Sequence, residues 1–356
     1  MNHNFFLLYS KLIFIFLLLE LPPINLKSIS NIRNTQNQYS EIDIIIQGSG
    51  EQTFISSYYE GIDNPSEVYV EGVKKASCIT SCNLEGSKSK ITLRFENQLT
   101  SVAYMFSYLI NLIEVDLSNF DASKVETMQG MFSYCSNLEK VTFGNIDTSS
   151  LVNFRALFSG CSKLTSIDLS SFSKSKSTTM YGVFNGCSKL KEINFGNLDT
   201  SSVDTMENLF QDCSQLTSIN LTNFKTNEVT SMYNMFHNCV NLKYLDLSGF
   251  DTSKVTTVSN IFKKCSSLIF LNLKSFKLQS SAKVYTPLNG ISSYVKYCID
   301  DTDTKTLLGI SSSDCSDVCF KKYINIDTTN NICVEDLCSN PENKYIYQST
   351  CYSSCP

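Results

Sequence analysis

The chain has 356 residues, room for two or three domains, and a formal net charge of −5 from 29 basic and 34 acidic side chains. Its charges form no basic stripe, which argues against a nucleic-acid partner. Two histidines, one of them His3, and no glycine-rich phosphate loop leave little for Ser-His-Asp, Cys-His or phosphate chemistry, so the chain reads as a non-enzyme with no cofactor or metal.

From the N-terminus, Lys11 precedes the apolar run Leu12-Ile13-Phe14-Ile15-Phe16-Leu17-Leu18-Leu19. Residues 1–30 read as a signal peptide, with Ser28-Ile29-Ser30 as a small-x-small cleavage site. The competing reading is an uncleaved anchor, which Glu20, Pro22 and Pro23 interrupt. No second segment is apolar enough over a long enough stretch to span a bilayer. Residues 31–98 carry strand-like runs at Ile42–Ile46, Val68–Val70 and Ile91–Phe95, divided by the turn signals Gly48-Ser49-Gly50 and Asn64-Pro65. They read as a β-rich N-terminal cap, with Cys78 and Cys82 close enough to form a disulfide.

From residue 99 to 276 one unit recurs. Phe106, Phe132, Phe158, Phe184, Phe210, Phe236 and Phe262 are each 26 residues apart. Counted from the Phe, Cys falls at +3, Leu at +6, an aliphatic residue at +9 and Leu or Phe at +11. Positions +9 and +11 flank a polar +10, the alternation of a half-buried strand within an L-x-x-L-x-L pattern. Val125, Met128, Met131 and Phe132 then follow at i, i+3, i+6 and i+7, which predicts a short helix. Ser123, Ser149, Ser175, Ser201, Asn227 and Ser253 stand as its N-caps, Ser123 and Glu126 making a capping box. Gly160, Gly186, Asp212 and Asn238 suit the left-handed conformation that ends it.

The expected fold is therefore an α/β solenoid. It is a leucine-rich-repeat-like right-handed coil of about seven strand-turn-helix repeats, in which helices wider than strands make the strand face concave. Positions +11 and +14 compensate in size: Leu117 with Phe120, Phe143 with Ile146, Leu169 with Phe172, Phe195 with Leu198. Coil volume stays nearly constant, with a super-period of two repeats.

Met131-Phe132-Ser133-Tyr134-Cys135-Ser136-Asn137-Leu138 and Phe250-Asp251-Thr252-Ser253-Lys254-Val255-Thr256 resemble the bacterial-surface-protein repeat of the BspA-like leucine-rich-repeat family. The copy at 173–180 lacks the Asp and the Val, and the seventh decays after Phe276. The resemblance implies a secreted or surface-anchored protein that acts in adhesion, and no catalytic residues.

Residues 277–297 read as a C-terminal cap or linker, and residues 298–356 as an incomplete cysteine-rich module. Its Cys298, Cys315, Cys319, Cys333, Cys338, Cys351 and Cys355 form a disulfide framework in a secreted chain, with zinc as the competing reading. The module resembles the growth-factor-receptor-type cysteine-rich modules of protist surface proteins. By contrast Cys135, Cys161, Cys187, Cys213, Cys239 and Cys265 read as small buried hydrophobes. Leu109 fills the same slot in the first copy, and helix-side coils 9–10 Å apart would be too distant for bridges.

The remaining candidate site is the +10 row, Asp116, Thr142, Asp168, Asn194, Asn220, Asp246 and Asn272. It suits a polar surface that only keeps the sheet wet, and it suits a protein or glycan ligand, or calcium. Asn220-Leu221-Thr222 is an acceptor sequon, so Asn220 is a candidate for glycosylation. His237 reads as a solvated residue at a helix end. The sequence thus predicts an extracellular or cell-surface interaction protein, with a self-associating coat component as the alternative.

Overall fold

The structure, a computed structural model, describes residues 40–313 and Cys315, and beyond them only the backbone of four short strands. Those strands form two antiparallel pairs, Ile326–Asp327 with Ile332–Cys333 and Tyr345–Tyr347 with Thr350–Tyr352. The signal-peptide segment, Cys319, Cys338 and Cys355 lie outside the described residues, as do the side chains of Cys333 and Cys351.

The N-terminal cap is β-rich, as its alternating sequence requires. It contains β1 (Ser40–Gln47), β2 (Gly50–Thr53), β3 (Glu67–Val70), β4 (Val73–Lys74), β5 (Ser81–Leu84) and β6 (Lys88–Phe95). Strand β1 pairs antiparallel with β6 in the register Ile42↔Leu93 and Ile44↔Ile91, placing these apolar side chains in the core. Its other edge pairs antiparallel with β7 (Leu112–Asp116), the first strand of the array, with Ile44 opposite Val115. The cap thus satisfies main-chain groups that an array would otherwise leave open at its first coil. Cys78 and Cys82 are joined by a disulfide.

After β7 come β8 (Lys140–Thr142), β9 (Ser166–Asp168), β10 (Glu192–Asn194), β11 (Tyr244–Asp246), β12 (Phe270–Asn272) and β13 (Lys296–Cys298). Where these strands pair they are parallel and offset by one repeat, Val115↔Val141, Ile167↔Ile193 and Leu245↔Leu271. Strand β13 extends the ladder one coil past the seventh Phe, with Leu271 opposite Tyr297. Then α1 (Thr302–Leu308) begins, capped by the Asp301 carboxylate, which accepts from the Thr304 amide at 2.8 Å. A disulfide ties Cys298 to Cys315.

The rest of each coil corrects the expected α/β class: the protein is a β-solenoid of about seven 26-residue turns, and no helix forms in the segments read as helical. Around Phe132, successive amides alternate in direction. Met131, Ser133 and Cys135 donate to carbonyls three residues back, those of Met128, Gly130 and Phe132, at 2.9–3.1 Å. Phe132 and Tyr134 donate to the next coil, at Leu157 (3.0 Å) and Ser159 (2.6 Å). The same alternation surrounds Phe184, Phe210, Phe236 and Phe262. It is a run of tight turns that also builds an inter-coil ladder, and isolated parallel bridges such as Ser101↔Thr127 and Thr205↔Ser231 extend it.

The physical reason is spacing. Strands repeat every 4.7–4.9 Å, whereas an α-helix with its side chains is about 10 Å across. Stacked Phe rings on the turn side are only 5.3–6.0 Å apart, so the coils keep sheet spacing there too. A helix would bond its amides within itself and leave no ladder. Without helices, the ground for expecting a concave strand face is also gone.

Such turns need a left-handed residue every four positions, at −2 and +2 from the Phe. Gly130 and Tyr134, Gly182 and Gly186, Asn208 and Asp212, and Asn234 and Asn238 all have φ between 56° and 76°. The residues read as helix C-caps are indeed left-handed, but they serve turns. The residues read as N-caps are corrected as well. In the D-T-S sequence the Asp accepts from the amide two residues on, as in Ser149 to Asp147 (3.1 Å), Ser201 to Asp199 (3.1 Å) and Ser253 to Asp251 (2.9 Å). Ser123 donates to Asp121 in the same way, at 3.0 Å, in place of a capping box with Glu126. The intervening Thr is buried and bonds the next coil, Thr148 to Ser171 C=O at 3.2 Å and Thr200 to Lys225 C=O at 2.9 Å.

Gly196 follows β10 with φ 53°, and a Cβ there would fall 2.7 Å from Ser170 Cα. Gly309 has φ 73° and open space around it. Gly196→Ala should therefore lower stability by about 2–3 kcal/mol, against about 1 kcal/mol for Gly309→Ala. Equal urea midpoints for the two variants would contradict this account of coil-to-coil contact.

Candidate functional site

The interior is built from columns of one residue type, each repeated every coil. The seven Phe rings stack face to face with interplanar angles of 2–19°. Beside them run six buried cysteines, all free thiols. Each donates to the Phe carbonyl of the coil before it, from Cys135 to Phe106 (2.9 Å) through Cys265 to Phe236 (3.1 Å). The premise that neighbouring columns lie 9–10 Å apart fails, because the coils keep sheet spacing. Thiol-to-carbonyl hydrogen bonds fill the geometry instead. Burial pushes the Cys135 and Cys265 thiols up to about 12, and the four between them also move up.

Six of the +10 residues end strands, and Asn220 lies in a segment without one. Asp116 and Asp168 are exposed, Thr142, Asn194, Asn220 and Asp246 are half-buried, and Asn272 is fully buried, which corrects the expectation of a uniformly outward row. Their side-chain oxygens are engaged locally. Asp116, Asp168, Asn194, Asn220, Asp246 and Asn272 each accept from the amide two residues on, at 2.8–3.2 Å. Thr142 occupies the same column without that bond. Cross-coil amide bonds add Asn194 to Asp168 (3.1 Å) and Asn272 to Asp246 (2.6 Å). At Asp168 burial opposes ionisation, but the Ser170 amide and hydroxyl and the Asn194 amide outweigh it and hold the carboxyl below its ordinary range. Among the described residues no group of three His, Cys, Asp or Glu is arranged to hold a metal ion.

The row is interrupted. Strands β8 and β9 are not paired, and β10 is not paired with residues 217–220, which form no strand. Where position +11 is Leu, its amide usually crosses to the next coil, Leu117 to Thr142 and Leu169 to Asn194 at 2.7 Å, and Leu247 to Asn272 at 2.9 Å. Where it is Phe, at Phe143 and Phe195, no such bond forms. Leu221, which directly follows the strandless segment, lacks it too. Each of the two Phe residues meets the +14 Phe of the next coil edge to face, Phe143 with Phe172 at 4.8 Å and Phe195 with Phe224 at 4.9 Å. Two rings in one diagonal thus accompany the loss of strand pairing between those coils.

The second break carries a groove of about 550 Å³, lined among others by Asp168, Lys191, Ile193, Asn194, Ile219 and Asn220. Beneath the same break Phe195, Leu198 and Phe224 line a hollow of about 90 Å³. Ile193 and Ile219 are only half-buried there, whereas Val115, Val141, Ile167, Leu245 and Leu271 in the same column are buried. Asn220, the sequon residue, sits on the lip with Oδ1 accepting from Thr222 N–H and Oγ1 at 3.1 and 2.8 Å. Sequence reasoning found the Phe alternation and missed its consequence: equal coil volume does not mean equal coil spacing.

His237 is corrected from an exposed helix end to a half-buried position in a turn. Both ring nitrogens are buried without a hydrogen-bond partner. Burial pushes its pKa down, Asp212 pushes it up, and Lys263 and Lys264 push it further down, for a net lowering. A further surface escaped the sequence reading. Tyr108 stacks on Tyr134 at 4.7 Å and meets Tyr58 at a tilt at 5.4 Å, with Tyr58, Tyr108 and Tyr134 61%, 53% and 48% exposed.

Repeated columns, an inter-coil ladder and a capped first coil define a repeat solenoid. A family model described as "Mycoplasma protein of unknown function, DUF285" matches residues 100–194 and 178–298, and the chain belongs to that family. No curated protein matches the chain.

Two expectations follow. The array thiols should resist iodoacetamide in the native protein at pH 8 and react once it unfolds. Their raised values also mean that folding holds protons the unfolded chain releases above about pH 9. Stability is thus full below pH 9 and falls as pH rises toward 12. A urea midpoint that rises between pH 8 and pH 10 would contradict this. Separately, Phe195→Leu should let β10 pair with residues 217–220, slowing hydrogen exchange at the amides of Ile193 and residue 195 by at least tenfold. Unchanged exchange would remove Phe195 as the cause of the break.

Proposed function

We propose that the chain is an extracellular or cell-surface interaction protein of the BspA-like leucine-rich-repeat type, which uses the solenoid for adhesion or recognition of protein or glycan partners. The carrying observation is the division of labour within each coil. Phe, Cys, Leu, Asp and Thr of the repeat serve packing, turns and inter-coil bonds, while the +8 strand position differs from coil to coil, as Glu114, Lys140, Ser166, Glu192, Ser218 and Tyr244. A scaffold that holds a fixed frame and varies its outward row suits recognition more than chemistry. The groove between β10 and residues 217–220 gives that row a pocket of the size that ligands occupy.

Export is supported by the apolar run after Lys11 and by the two disulfides among the described residues, since such bonds persist in oxidising compartments. The six free thiols fit the same compartment because burial keeps them unreactive. One observation favours the coat reading: the exposed cluster of Tyr58, Tyr108 and Tyr134 lies in the same part of the chain as Ile110, itself 62% exposed.

Protease treatment of intact cells, with the medium assayed in parallel, tests the proposal. Removal of the chain from the cell surface, or its recovery from the medium, is the expected outcome. Complete protection inside the cell would contradict it. Concentration-dependent assembly lost in Tyr108→Ser would favour the coat over the recognition module.

A further inference from the structure

We infer that the break beside β10 is a strand-addition site, which takes an extended peptide segment along the open edge of β10. The inference rests on the interaction reading above and names the class of partner for one place on the surface.

The main chain supplies the first argument. Across paired coils the +11 amide points to the next coil and the +10 carbonyl points back to the previous one, as from Leu169 to Asn194. By that parity Ile193 N–H, Ile193 C=O and Phe195 N–H face the break. Ser218 C=O and both main-chain groups of Asn220 face it from the other side. None of these groups has a hydrogen-bond partner among the described residues. Buried or half-buried main-chain groups are rarely left so, and a sheet edge carrying a row of them is a template for another strand.

The side chains supply the second. Ile193 and Ile219 are half-buried in a column otherwise closed over. Covering them with alternate side chains of an added strand would complete the core locally. The 550 Å³ groove is lined by amide, hydroxyl, aliphatic and singly charged side chains, with no aromatic ring in its wall. A sugar would find no ring to stack on, whereas a peptide would find donors and acceptors at strand spacing. The mixed charges of Lys191, Glu192 and Asp168 favour a peptide of low net charge with small or β-branched residues at alternate positions.

Proline at position 193 gives a clean variant, because the N–H it removes faces the open edge and is not bonded to β9. The probe is a linear dodecapeptide selected from a displayed random library on the full chain, then synthesised with single N-methyl groups along its length. Binding should weaken at least tenfold on N-methylation at every second residue. It should weaken comparably in Ile193→Pro, and in Ser218→Trp, which fills the groove from the opposite lip and leaves the β10 sequence unchanged. Amides of Ile193, Phe195 and Asn220 should gain hydrogen-exchange protection on binding. Peptide binding indifferent to these changes, or a library that yields no binder, would overturn the site. Attachment of the chain to cells is scored separately. Attachment that persists in both variants while no peptide binds leaves the interaction reading standing and removes only this site. Peptide binding without any attachment or secretion removes the interaction reading instead.

Discussion

Every other feature of this protein depends on a single spacing. Main-chain hydrogen bonds join each coil to the next on the turn side throughout, and on the strand side wherever the strands pair, so both sides advance by nearly the same small step. That condition excludes helices from the coil. It selects tight turns whose amides alternate between closing the turn and reaching the next coil. It brings each buried side chain over its own counterpart one repeat away. Phe stacks on Phe, a thiol reaches the carbonyl one coil back, and Asn234 bonds Asn208 on one side and Asn260 on the other, at 3.1 and 3.0 Å. Stacking of like on like is also why one coil offers its neighbours so regular a surface, and why the array needs the antiparallel β1 to close it.

Much of this was legible in the residues. The Phe spacing gave the repeat. The alternation around +10 gave the strands, and the runs at 42–46, 68–70 and 91–95 fall within β1, β3 and β6. Gly186, Asp212 and Asn238 were read correctly as left-handed. The helix was misread because apolar residues at i, i+3 and i+7 also point inward from consecutive tight turns. The Asp-Thr-Ser sequence, which imitates an N-cap, instead holds a turn. Local signals of this kind cannot distinguish an amide bonded four residues back from one bonded twenty-five residues ahead. The difference lies in the step between coils, which no single repeat contains.

The same limit explains the candidate site. The outward row was found from periodicity, but the local engagement of its oxygens follows from turns two residues long and was not foreseen. The break beside β10 coincides with a diagonal contact between Phe195 of one coil and Phe224 of the next. Both rings were visible as a compensating pattern. Their effect on the sheet appears only when the coils are stacked. Function in such a scaffold is expected where the repeat departs from itself, because the regular part is fully occupied with holding the coils together.

The acceptor of the Phe184 amide tests the central claim most directly. Scalar coupling across the hydrogen bond, measured by NMR on labelled protein, identifies it. A stacked-turn coil predicts coupling to the carbonyl of Leu209 in the next repeat, 3.0 Å away. Coupling to Met180, four residues earlier, would mean a helix and would contradict the account.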